Sequence, residues 1–164
     1  ATRGYAVLQP QFRGSTGFGD AFRRAGYGEW GGLMQDDVSD GVAALVERGV
    51  ADPRRVCIVG ASYGGYAALA GATLTPDLYA CAVSINGLSD LPMAVGQQKM
   101  SDGAESNSYA YWRKNIGSMH DAKLAQRSPA RLAAQVKAPV LLLHGVQDTV
   151  VPIAQSRPGP AEAG

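Results

Sequence analysis

Residues Gly60-Ala61-Ser62-Tyr63-Gly64 spell G-x-S-x-G between an apolar run, RRVCIVGAS (54–62), and a stretch of small residues, 64–73. A serine hydroxyl is a weak nucleophile; to attack a carbonyl it needs exposure, a base and donors for the developing oxyanion. A sharp strand-to-helix turn supplies the exposure, because it holds the serine in a strained backbone above the end of a sheet. Glycines two before and two after let neighbouring backbone come close. The helix starting there adds partial positive charge, and the Tyr63 N–H can face an oxyanion. A second group is His144-Gly145-Val146-Gln147-Asp148, followed by Val150, Val151 and Pro152. Asp148 comes just past the apolar run 138–145, where open α/β sheets collect their functional groups. A carboxylate there can orient a histidine and stabilise its charged form. Nothing has metal-ligand spacing, and no cofactor is expected.

The elements that must position these groups are legible in the pattern. Residues 4–11 (GYAVLQPQ) form an apolar run rich in β formers, and a short helix fits at 20–24 within the Gly-rich stretch 13–32. Val38, Val42, Leu45 and Val46 fall on one face of a 3.6-residue repeat. Asp36, Asp37 and Asp40 crowd the start of that helix, and Arg48 and Gly49 mark its end. Buried strands are predicted at 54–62, 79–87 and 138–145, with a small-residue helix at 64–73 between the first two. Residues 88–135 read as helices and loops carried outside the sheet. Strands alternating with helices argue for a mostly parallel α/β sheet with helices on both faces.

Composition excludes other classes. The chain has 164 residues, 46% hydrophobic and 18% charged, with a net charge of +1. Disorder, nucleic acid and an anionic membrane surface are therefore not expected. No apolar run approaches the ~20 residues of a membrane-spanning helix. Glycine reaches 21 residues without any period, which points to tight turns rather than collagen. Cys57 and Cys81 each sit in an apolar run and read as buried free thiols, which leans towards a reducing, cytoplasmic compartment; a disulfide between them stays open.

GASYGGYAAL, RGSTGFG with EWGG and DDV, and LLLHGVQDTVVPIAQS together resemble the catalytic domain of the prolyl oligopeptidase family of serine peptidases. Within it they look most like acylaminoacyl peptidases and bacterial dipeptidyl peptidases. The resemblance covers residues 4–156, read as a partial domain, with 157–164 left as an unpatterned tail. It implies an incomplete α/β-hydrolase fold with Ser62 as nucleophile, Asp148 as triad acid and Tyr63 N–H as an oxyanion donor. Val151, in the H-G-x-x-D-x-x-V pattern, is then expected to touch the P1 side chain of a peptide substrate. The resemblance also implies a third strand before Ala1, a loop after it whose H-G-G-P segment carries the second oxyanion donor, and a β-propeller domain further upstream. In the hydrolase order that third strand lies between GYAVLQPQ and RVCIVG, so a gap in the sheet or marginal stability is expected.

A triad in the order Ser, Asp, His needs a histidine after Asp148. The two histidines, His120 and His144, both precede it. His144 reads as a structural residue of the H-G pair, and this chain alone is expected to show no useful activity. Three readings remain open: a serine peptidase hydrolysing short peptides, a carboxylesterase using the same triad, and a non-catalytic binding domain. Tyr109, Tyr111 and Trp112 can line a substrate cleft or simply pack. Oligomeric state is not legible.

Overall fold

A computed structural model describes residues 3–157; the expected tail lies outside them except for Arg157. The sheet has three parallel strands in sequence order, β1 (Cys57–Ala61), β2 (Cys81–Ile85) and β3 (Val140–Leu143). Helices α1 (Asp20–Arg24) and α2 (Leu33–Glu47) precede it, and α3 (Tyr63–Leu74) makes the crossover from β1 to β2. Between β2 and β3 the chain makes α4 (Leu91–Asp102), α5 (Asn107–Asn115) and α6 (Ala122–Gln126). Each strand and helix expected from the sequence pattern is present among the described residues, except the first strand.

That exception is residues 4–11, which form no strand. Tyr5 and Val7 are each 75% exposed. The segment lies along α2 instead: the Cα of Gly41 faces the ends of Leu8 and Pro10, and Arg13 forks onto Asp37. Between it and the free edge of β1 runs a cavity of about 690 Å³, lined by Val38, Val42, Ile58, Val59 and Tyr79 among others. A strand needs a partner about 4.8 Å away to satisfy its backbone, and here none is within reach. The expected gap in the sheet is therefore present.

Cover is one-sided. Helix α3 packs on β1 and β2, and Ala82 and Ser84 on that face are buried. On the other face Val59, Ile85, Leu141 and Leu143 stay exposed, Val59 at 63%. The second helix layer expected from strand–helix alternation is thus not built by the described residues. Much of the core lies instead where α3 meets the excursion: Tyr66, Ala70, Leu91, Val95, Tyr109, Ile116 and Leu124 bury one another. The Tyr66 hydroxyl donates to Arg127 O (2.9 Å), which satisfies its polar end in that apolar setting.

The free-thiol expectation is overturned. Cys57 and Cys81 are register partners on adjacent parallel strands, 4.6 Å apart at Cα, and the structure joins them in a disulfide. Apolar flanks predict burial, but only strand register decides which residues become neighbours. The lean towards a reducing compartment loses its support with them. Closing a loop of this length contributes about 3 kcal/mol by the chain-entropy argument. Thiol titration of denatured, unreduced protein should find no free thiol, and two after reduction. Two thiols without reductant would refute the pairing.

Candidate active site

The register aligns Ala61, Ile85 and Leu143, so the next residues, Ser62, Asn86 and His144, stand in a row at the carboxyl end of the sheet. Backbone bonds continue across this row, from Ser62 N to Ile85 O (2.9 Å) and from Asn86 N to Leu143 O (2.8 Å). Ser62 has φ 54 and ψ −117 and caps no helix amide with its side chain. A serine held so sits in a region costing about 1–3 kcal/mol, which concentrates at functional sites. Its hydroxyl is left free to act.

The glycines explain how the turn closes. A Cβ on Gly60 would collide with the backbone of Gly64, so the first glycine of the pentapeptide is sterically required. Gly64 itself faces open space and serves by presenting bare backbone to Gly60. The further close approach, Gly65 against Gly87, lies outside the pentapeptide. Helix α3 begins at Tyr63, so the Tyr63 amide is one of the first-turn N–H groups that no intrahelical carbonyl reaches. Its ring packs into an aromatic group, edge-on with Trp30 (4.5 Å between centroids) and tilted against Phe12 and Tyr66. Burial pushes its phenol above the ordinary range, so it stays neutral.

Asp148 sits on the loop after β3. Its Oδ1 accepts from Val150 N (2.8 Å) and Val151 N (2.9 Å), and its Oδ2 accepts from Asn86 Nδ2 (2.6 Å). The backbone donors of Val151 and Val150, assisted by His144 and Asn86, hold its carboxyl below the usual carboxylate range. The group is therefore an anion at neutral pH. Its bond to Asn86, the strand neighbour of Ser62, puts Asp148 at the same carboxyl end of the sheet as the serine.

Both histidines are accounted for. His144 Nε2 lies 2.7 Å from Val151 O, which can only accept, so Nε2 donates; Nδ1 is engaged by Ser156 Oγ at 2.6 Å. The ring fastens the Asp148 loop and has no free nitrogen. His120 is exposed on the turn before α6. Val151 is 2% exposed, within the core, and lines a cavity of about 100 Å³ together with Leu88, Ala94 and Trp112. Tyr109 is buried as packing, while Tyr111 is exposed.

Two residues that the motifs did not single out hold this arrangement. Asn86 bridges Asp148 and Gly145, whose N–H it accepts at 3.0 Å. Gln155, buried, accepts from Ser89 N (2.8 Å) and Asp90 N (2.9 Å) and donates to Asp90 O, tying the end of the Asp148 loop to the turn after β2. Gln155 lies inside the LLLHGVQDTVVPIAQS run and Asn86 in an Asn-Gly pair ending a strand; neither signal names a partner 60 residues away.

Comparison with known proteins places this geometry. The family model described as the prolyl oligopeptidase family matches residues 1–157. Dipeptidyl aminopeptidase BIII of Pseudoxanthomonas mexicana is 44% identical over 95% of this chain, which spans 23% of that relative. Among solved structures, a puromycin-hydrolyzing peptidase of Mycobacterium tuberculosis superposes with a TM-score of 0.77 at 37% identity, over 88% of this chain and 21% of its own. Pyrococcus horikoshii acylaminoacyl peptidase superposes with a TM-score of 0.76 at 28% identity, over 88% and 23%. The chain thus spans under a quarter of the length of these relatives.

Proposed function

The chain belongs to the prolyl oligopeptidase family, and from that premise we propose that it carries the nucleophile and acid of a serine peptidase acting on short peptides. The observation behind this reading is the Ser62 backbone, bent to φ 54 at the β1–α3 junction, with an anionic Asp148 on the β3 loop bonded to Asn86, the strand neighbour of Ser62. Ser62 Oγ attacks the scissile carbonyl while its proton passes to a histidine that another part of the gene product supplies. The Tyr63 N–H stabilises the oxyanion, and Asp148 orients the histidine and balances its charge. The tetrahedral intermediate collapses to an acyl-Ser62 ester, the amine leaves with the histidine's proton, and water then releases the acid. Val151 meets the P1 side chain at the wall of the small cavity it shares with Trp112. A β-propeller elsewhere in the gene product, limiting entry to short peptides, belongs to the same reading.

A fluorophosphonate probe should label Ser62 in the full-length gene product, and a chromogenic dipeptide anilide should be turned over with a kcat/KM of at least about 10⁴ M⁻¹s⁻¹, the low end for enzymes. Turnover of p-nitrophenyl esters alone would move the assignment to a carboxylesterase. No labelling would leave only a binding role.

A further inference from the structure

Among the described residues, two non-glycine residues have positive φ, Ser62 (φ 54) and Asn86 (φ 48), and register places them side by side. The strain at Ser62 has a reason in the elbow. Asn86 is not in the elbow, and a left-handed backbone is uncommon enough at a strand end to need its own reason. Its side chain supplies one. The amide reaches across to the β3 loop, donating from Nδ2 to Asp148 Oδ2 and accepting at Oδ1 from Gly145 N. These partners fix the amide's orientation, since a flip would set N–H against N–H and oxygen against carboxylate.

We propose that Asn86 is a positioning residue for Asp148: it pins Oδ2 from the β2 side, so that one lone pair stays aimed at the catalytic base. This rests on the serine-peptidase reading above and adds a residue to it. Three donors already hold the carboxylate, two backbone amides on Oδ1 and Asn86 on Oδ2, which leaves one directed site on Oδ2. Asn86 differs from the amides in that it ties the β3 loop to the strand adjoining Ser62, and so fixes acid and nucleophile in one frame. A neutral donor suits the role, because a lysine or arginine there would quench the charge that the imidazolium needs. Asparagine is also the side chain that best tolerates this backbone. The other titratable group bearing on Asp148 is His144, whose ring is already engaged.

Asn86→Gly and Asn86→Asp in the full-length gene product separate positioning from mere support. Glycine accepts the backbone and deletes the amide. Its kcat should fall about 10- to 100-fold, the scale of a misplaced catalytic group, with KM within about twofold and thermal stability close to wild type. Aspartate keeps the shape but sets two carboxylates 2.6 Å apart, at the present Asn86–Asp148 spacing. They cannot both ionise freely, so the acid limb of kcat/KM should move to higher pH by about one unit or more. Ser62→Ala and Asp148→Asn run alongside. If both silence the enzyme while Asn86→Gly keeps wild-type kcat and Asn86→Asp an unshifted profile, the Asn86 role is wrong and the peptidase reading stands. If Ser62→Ala stays active, the reading falls and the Asn86 role falls with it.

Discussion

Replacing Ser62 by alanine should lower kcat of the full-length gene product on a chromogenic dipeptide by about 10⁶-fold, the loss seen when a serine protease is deprived of its nucleophile. KM should stay within about twofold, because the hydroxyl is not a binding group until the tetrahedral state forms. Folding should be unaffected, since the Ser62 side chain is exposed and caps no helix amide. The fold depends instead on the residue's backbone bonds, from its N–H to Ile85 and from Tyr66 N–H to its carbonyl, which alanine keeps. Ser62→Gly offers a sharper version. It relieves a backbone at φ 54, so it should be equally inactive and yet more stable, by about 1 kcal/mol in thermal or urea unfolding. A Ser62→Ala protein retaining more than about a thousandth of wild-type turnover would show that another group is the nucleophile.

The second large effect concerns the 164-residue chain expressed by itself. From a typical turnover of ~10 s⁻¹, loss of the general base alone leaves about 10⁻⁵ s⁻¹. No histidine in the sequence follows Asp148, and the two that precede it are poorly placed to substitute. His144 would have to abandon Ser156 and Val151, which hold the loop bearing the acid. His120 stands exposed before α6, with no ring bond to Ser62 or Asp148 among the described residues. The expected result is no anilide release above the uncatalysed background by pure protein. Release faster than about 10⁻³ s⁻¹, two orders above that expectation, would mean that one of them serves as base, and single His→Ala variants would identify which.

Elements with local causes are legible in the sequence. Val38 and Val42 at helical spacing, the Asp-rich start at 36 and 37, and the small-residue run after Ser62 correspond to α2 and α3. Residues 4–11 show the limit of such local causes. Their β propensity is genuine, but a strand forms only where a partner edge lies within hydrogen-bonding distance, and here a cavity of about 690 Å³ separates the segment from the free edge of β1. The cysteine pairing is hidden for a related reason: the flanks describe burial, while the bond depends on Cys57 lying opposite Cys81 in register.

What the sequence determined by itself is therefore the chemistry available and the local elements: a serine between two glycine-bounded segments, an acid after a strand, apolar runs of strand length and a 3.6-residue repeat that need no distant partner. Tertiary structure alone decided the pairings. Register set Asn86 beside Ser62 and let its amide reach Asp148, 62 residues on. The physical reason is range. Periodicity and turn preference act over a few residues of chain, whereas strand register and side-chain hydrogen bonds join residues whose separation in sequence carries no information about their separation in space.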